Sequence, residues 1–509
     1  MISASVLVAG CATQALDQAP PSADQPWHDP QLSASRPAPS TKPGQPAVVD
    51  FSIAQAPLTN PQHWNINLDP KKRYTLAELI DIAQSNNPST RAAWNRAREA
   101  ALATGMVEAT FLPMISANAI GGYQQTNIPS QLIIGPSQFT TDLSGTVAAL
   151  TFGWLVFDFG QRIALLESAK QLSRAANILF NAEHQKVIWQ VTTRYYNYVL
   201  AKRQLELANQ ALKYRQSIAS AAKAKQKAGL GTVVETALAE QWLKQAELHK
   251  VNMQGLLKNA YLNLLASAGI APTTNISIAV PDEQIATQHL RNNLNLSTQA
   301  LEASVSSRPD VAASYAALQA ARANIDAVKA DFFPKVYLAG ALASSNTTFD
   351  LQGLPSLSQQ MNSSGILFGV TLPLYDGGLR NARLVSAQIR TEQAEQNYEQ
   401  LQRDAIREIV LAQTMLESAL QSAETARSLV KTAKIAYDAA LGAYREGLGT
   451  ITMVNEAADS LLTARQALAE SETASIVSAA NLAMAMGRMT SANAATGLAT
   501  GNKTIPAAQ

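Results

Sequence analysis

Side chains able to do chemistry are few in this 509-residue chain, and their spacing argues against an enzyme. The five histidines, His28, His63, His184, His249 and His289, have none of the short intervals that bring imidazoles to one zinc or iron ion. There is no glycine-rich phosphate loop, no Gly-x-Ser-x-Gly nucleophile elbow and no His-Glu-x-x-His pair. With no constellation of nucleophile, base and oxyanion donor to assemble, neither catalysis nor a cofactor is expected. Lysines and arginines number 40 against 38 aspartates and glutamates, so a net charge of +2 without a basic run gives no footprint for nucleic acid.

The single cysteine carries a different chemistry. Cys11 closes the short apolar stretch Val6-Leu7-Val8-Ala9-Gly10, and small residues just before a cysteine resemble the lipobox of bacterial lipoproteins. That resemblance makes 1–10 the remainder of a signal peptide, without its basic start, and Cys11 a lipidated N-terminus. Acyl chains there would add ~0.8 kcal/mol of membrane affinity per buried methylene. The alternative is an incidental apolar N-terminus with a buried thiol. Residues 11–74 are rich in Pro, Ser, Gln and Asp and read as an extended leader.

The elements beyond the leader occur twice. Pro88, Phe111 and Pro113 match Pro309, Phe332 and Pro334 at an offset of 221, together with Ala92, Ala100 and Ala109 on Ala313, Ala321 and Ala330. Phe157-Asp158-Phe159-Gly160-Gln161-Arg162 falls on Tyr375-Asp376-Gly377-Gly378-Leu379-Arg380 at offset 218, and Gly229-Leu230-Gly231-Thr232 falls on Gly447-Leu448-Gly449-Thr450 at the same offset. A duplicated unit follows, with copies at 75–290 and 291–487 and a flexible tail at 488–509.

Each copy has one order of elements. Helical periodicity covers 75–111 and 299–332, pausing at Asn87-Pro88 and Arg308-Pro309 and ending before Pro113 and Pro334. Alternating patterns follow at 114–125 and 144–157, and at 335–346 and 364–375, separated by polar loops at 125–143 and 346–363. Ala148, Leu150, Phe152, Trp154 and Val156 share one face; Ile366, Phe368, Val370, Leu372 and Leu374 are their duplicates. Proline-free stretches at 161–227 and 379–445 predict helices on the order of 100 Å long, which no compact domain contains. The glycines of each Gly-Leu-Gly-Thr turn end them, and return helices run over 233–268 and 451–487.

Strands of this length with one apolar face suit an outer membrane. Four strands cannot close a barrel, and open edges are not tolerated in lipid, so chains must pool their strands; physics permits eight from two copies or twelve from three.

With these features in order, the chain resembles TolC-type outer-membrane efflux proteins, the lipid-tethered kind serving resistance-nodulation-division pumps. The resemblance covers about 75–487. It implies a mainly α fold with a membrane β-barrel portion: a homotrimer whose 12-stranded β-barrel is continuous with a periplasmic 12-helix α-barrel. It further implies a passive conduit in the outer membrane, anchored by lipid, taking small toxic compounds from an inner-membrane transporter through a periplasmic adaptor. The turns Gly229-Leu230-Gly231-Thr232 and Gly447-Leu448-Gly449-Thr450 would then lie at the periplasmic tip, where the adaptor docks. In the family's gate, Tyr444 fits the tyrosine before the turn, Arg445 is similarly placed, and Glu456 fits the inner of two acidic positions. Met453 occupies the outer acidic position and Gly449 a basic one, so an apolar methionine constriction is the alternative to a carboxylate ring. For Glu456 a solvated helix face is the plain reading, and for Arg445 a neighbouring glutamate.

Small residues Ala221, Ala222, Ala224, Ala439 and Ala440 would let helices approach closely near the tip, although each alanine equally serves helix propensity. Trp154, Phe157 and Tyr375 are candidates for an interfacial aromatic belt or for packing where strand meets helix. Asp158 and Asp376 read as turn and cap residues. Two rivals share part of this pattern: a secretion conduit for polypeptides on the same fold, and a periplasmic coiled coil without a channel, which leaves the apolar-faced hairpins unexplained.

Overall fold

The computed structural model describes residue 66 and residues 68–129, 138–280, 298–351 and 355–490. The expected signal remnant, Cys11, most of the leader and most of the tail lie outside these residues. In chain order the elements are β1 (Arg73–Tyr74), α1 (Leu76–Asn86), α2 (Pro88–Ala109), β2 (Met114–Pro129), β3 (Gln138–Phe157), α3 (Gln161–Lys227), α4 (Val233–Ser267), β4 (Ser277–Ile278), α5 (Thr298–Ser307), α6 (Pro309–Ala330), β5 (Lys335–Leu351), β6 (Leu357–Thr371), α7 (Leu379–Arg445) and α8 (Ile451–Ala485).

Local chemistry explains the breaks. Thr75 and Glu78 form a capping box that starts α1. The pauses expected at Asn87-Pro88 and Arg308-Pro309 are full breaks between two helices, because residues before a proline avoid the α region; Asn87 and Arg308 are extended, and Pro88 and Pro309 take the first helical position. The N-terminal leader ends earlier than expected, since Arg73–Tyr74 pairs in parallel with Ser277–Ile278. Two-residue strands carry no periodicity by which sequence could reveal them.

The four long strands form one antiparallel sheet in the order β2-β3-β5-β6, leaving β2 and β6 as edges. They are longer than the sequence pattern suggested. Much of the expected loops at 125–143 and 346–363 is ladder: Gln125 pairs with Asp142, and Thr347 with Gln359. Polar residues there extend the strands without the apolar alternation that marks them lower down. At the other end the expectation overran: β6 stops at Thr371 because Pro373 has no N–H to give the ladder. A register shift between Leu155 and Phe157 also removes Val156 from the face it was expected to share.

Both strand-to-helix junctions repeat one device. Asp158 accepts hydrogen bonds from the Arg162 backbone N–H (3.1 Å) and Nε (2.7 Å), and Asp376 does the same for Arg380 at 3.1 and 2.6 Å. Each guanidinium then lies over the duplicated phenylalanine, Arg162 at 4.7 Å from the Phe111 ring and Arg380 at 5.3 Å from Phe332. Of the repeated residues, Phe111, Asp158 and Arg162 with their duplicates Phe332, Asp376 and Arg380 therefore clamp the sheet to the long helices.

Candidate functional site

The end of the molecule remote from the sheet gathers the residues singled out as gate and turns. α3 and α7 are each 67 residues, about 100 Å of helix. Each ends in a left-handed glycine, Gly229 (φ 73°) and Gly447 (φ 79°), after which Leu230 N–H reaches back to Lys225 O (2.9 Å) and Leu448 N–H to Ala443 O (2.8 Å). Thr232 and Thr450 cap the return helices α4 and α8. Their leucines have nowhere to bury: Leu230 and Leu448 are 81% and 86% exposed.

A core of small and medium side chains joins the two hairpins, with Ile218, Ala219 and Ala222 of α3 packed among Ala433, Tyr437 and Tyr444 of α7 and Ile451, Val454 and Leu461 of α8. Of the small residues expected at helix contacts, Ala222 is buried and Ala440 half-buried, whereas Ala221, Ala224 and Ala439 face outward in the protomer.

The expected gate residues do not form one group. Tyr444 is buried, its hydroxyl has no hydrogen-bond partner, and burial, with Glu235 nearby, pushes its pKa up. Its ring lies beneath the Lys225 ammonium at 4.1 Å, and the same ammonium is 3.4 Å from the Tyr444 carbonyl oxygen. Arg445, Met453 and Glu456 are exposed. Among the described residues no ion pair holds Arg445 or Glu456, so the expected glutamate partner of Arg445 is not present.

Contacts that sequence reasoning missed fasten the second hairpin to α3. Arg215, 7% exposed, forms an ion pair with Asp459 of α8, while its guanidinium lies 5.9 Å from the Trp242 ring and its Nη1 has no partner. Asn455 donates to Asp459 at 3.3 Å. Farther along, the fully buried Glu472 of α8 is held by Arg203 of α3 (3.1 Å) and Arg427 of α7 (2.9 Å). No local signal separates the buried Glu472 from Glu470 two residues before it, which pairs with Gln204 on the exposed side.

At the opposite end, Trp154 donates from Nε1 to the Phe111 carbonyl at 2.8 Å and belongs to the junction. Phe157, Phe159 and Phe333 form an aromatic run with ring separations of 4.8 and 5.3 Å, and Tyr375 is 90% exposed. Among the described residues no helix is long and apolar enough to span a membrane, and no group of three or more acidic, histidine or cysteine side chains is placed to hold a metal.

Comparison with known proteins agrees with this architecture. A family profile described as outer membrane efflux protein matches residues 79–270 and 300–488, one block per copy. The cation efflux system protein CusC of Escherichia coli (strain K12) is 26% identical over 461 residues, covering 88% of this chain and 94% of CusC. Outer membrane protein OprJ of Pseudomonas aeruginosa is 26% identical over 385 residues, covering 73% of this chain and 75% of OprJ. A CusC crystal structure superposes with a TM-score of 0.69 at 24% identity, covering 81% of this chain and 92% of that one.

Proposed function

We infer that this chain, which belongs to the outer membrane efflux protein family, is the outer-membrane channel of an efflux system. Its place in such a system implies a periplasmic adaptor and an inner-membrane pump as partners. The observation that carries the finer reading is the open four-stranded sheet continuous with two 67-residue helices. Both edge strands present unpaired backbone groups over some fifteen residues, and lipid supplies no partners for them. Pairing β6 of one copy with β2 of the next satisfies every edge. Three copies then give a 12-stranded barrel with a water-filled bore, continued by twelve helices across the periplasm.

In this assembly acyl chains on Cys11 tether each copy to the membrane, and Leu230 and Leu448, standing out from the turns, meet the adaptor. The conduit is passive, and the pump supplies the energy that moves drugs, organic toxicants or metal ions. The tip closes where α7 and α8 lean inward. Met453 and Glu456 lie on the exposed side of α8, so three copies bring them towards one axis, with Tyr444 buried behind them and Arg445 beside the turn. Exposure of Glu456 without an ion-pair partner fits a ring of carboxylates that attracts cations to the mouth.

The test is the mass of the purified full-length protein and its conductance in planar bilayers, with and without Glu456→Ala. A trimer of small conductance that becomes larger or less cation-selective in the variant is expected. Identical traces would remove Glu456 from the gate, and a non-conducting species would overturn the barrel.

A further inference from the structure

The sheet carries two apolar bands on opposite faces, displaced along the strands. Near the helices, Ile115, Phe152 and Ile366 lie at one level of one face, with Leu150 and Leu342 at the next. Farther out the same face turns polar: Tyr123 Oη donates to Asp142 at 2.9 Å, and the Thr348 and Ser358 hydroxyls are 3.1 Å apart. That sequence of apolar then polar is what a barrel wall shows on leaving the bilayer.

The opposite face runs the other way. After Met114 and Leu367 beside the helices it becomes small and polar, with Ser116 and Thr151 hydroxyls 2.7 Å apart and Asn118, Ala343 and Ser363 beyond them. Farther out it becomes apolar. Ile120, Val147 and Met361 make one level and Leu143, Phe349 and Leu357 another, and all six are exposed in the protomer. Between these levels Gly122 pairs with Gly145, where a Cβ would meet Asn346 O at 2.5 Å. No side chain fits at Gly145, so β3 and β5 are pressed together between the two apolar levels.

We propose that these six side chains form an apolar collar inside the outer half of the conduit, a second constriction that admits amphipathic organic solutes more readily than hydrated ions. The inference rests on the barrel reading above, in which the first apolar band faces lipid and this face therefore lines the bore. Lipid cannot account for apolar side chains on a bore wall. Eight strands leave an interior filled by side chains and sixteen an open channel, so in a twelve-stranded bore three copies of Phe349 and Leu357 narrow the passage substantially. Water leaves a narrow apolar ring readily, which hinders hydrated ions and gives amphipathic solutes a surface to lie against.

Two neighbours on β6 test this with the full-length trimer in membranes, because Leu357 and Ser358 point to opposite faces. Leu357→Cys is expected to react at least tenfold faster with a neutral aromatic maleimide than with a sulfonated one, while Ser358→Cys treats the two within about twofold. Equal ratios at both positions would overturn the collar. In planar bilayers, on an Asp459→Ala background that loosens the tip, Phe349→Ser with Met361→Ser is expected to raise potassium conductance at least threefold and to lower the permeability of tetraphenylphosphonium relative to potassium. Unchanged conductance and permeability ratio, in a channel that still conducts, would sink the collar alone. Absence of conduction in every variant would remove the barrel reading and the collar with it.

Discussion

The two hairpin tips are copies of one design that differ in how they are held. The first has a complete capping box: Thr232 Oγ1 accepts from the Glu235 backbone N–H at 3.1 Å, and the Glu235 carboxylate accepts from the Thr232 N–H at 3.1 Å. In the second, Thr450 still accepts from the N–H at the third helical position (3.3 Å), but that position is Met453, which returns nothing. The second hairpin instead depends on contacts reaching across from α3 of the first copy, Lys225 on Tyr444 and Arg215 on Asp459. One tip is thus locked by its own residues and the other by a neighbour. A gate needs the second arrangement, because contacts between elements can be exchanged while the hairpin itself remains folded.

The largest effect is expected from breaking the loan at Arg215. Asp459→Ala leaves a guanidinium buried between helices with neither amino group ion-paired, at a cost of about 2–3 kcal/mol to this packing of α8 on α3. Closed-state conductance in planar bilayers should rise several-fold. If traces match the parent's, α8 is held elsewhere, and Arg203–Glu472 becomes the next clasp to cut. The equivalent contact loss at Lys225 is smaller. Lys225→Met keeps the methylene stem and removes the ammonium from the Tyr444 ring, worth about 1 kcal/mol. Faster hydrogen exchange in 440–455 with no change in 225–240 is the expected signature, and equal acceleration of both turns would show that the lysine stabilises the tip as a whole.

How much of this asymmetry sequence could show depends on the range of the interaction. The matching turns, the left-handed glycines and the missing glutamate at 453 are local, and the 218-residue offset exposes each by alignment of the chain with itself. Arg215–Asp459 and Lys225–Tyr444 join residues 244 and 219 positions apart. Their partners are fixed by which helix faces meet, and 67-residue helices with exposed charge throughout give no sign of which arginine turns inward. The same limit hid the outer halves of the strands. Apolar alternation marks a wall in lipid, but Thr126–Thr141 and Thr348–Ser358 are paired where one face is polar and the other carries scattered Leu and Phe.

Restoring the box sharpens the comparison from the other side. Met453→Glu gives α8 the reach-back carboxylate that Glu235 gives α4, stabilising its first turn by about 0.5–1 kcal/mol. Exchange of the Thr450–Val454 amides should slow to match that of Thr232–Thr236. In the complementary variant, Glu235→Met, the first turn should lose its protection. If the two tips still differ after Met453→Glu, the cap is not what distinguishes them.

The smallest expected effect concerns the other pair of equivalent helix starts. Asn87 caps α2 with a neutral side chain, accepting from Ser89 N–H at 2.9 Å. Arg308 has no such cap before α6 and uses charge instead, pairing with Asp310 (2.7 Å) and Glu408 (2.8 Å) and donating to Ala485 O at 3.1 Å. Burial pushes the Asp310 carboxyl up, but Arg308 and the Val311 N–H outweigh it, so its pKa lies below the ordinary value of 3.8. A depressed carboxylate stabilises fully above the unfolded value and ceases to do so as pH falls through the folded one. Acidification from pH 5 to pH 3 should therefore loosen the start of α6 while leaving α2 unaffected, read as exchange rates corrected for the intrinsic pH dependence. Asp310→Asn should remove most of the difference at once, since the amide cannot titrate in this range. Equal acid sensitivity of α2 and α6 would mean that the two starts, like the two turns after a restored box, are equivalent in energy despite their different chemistry.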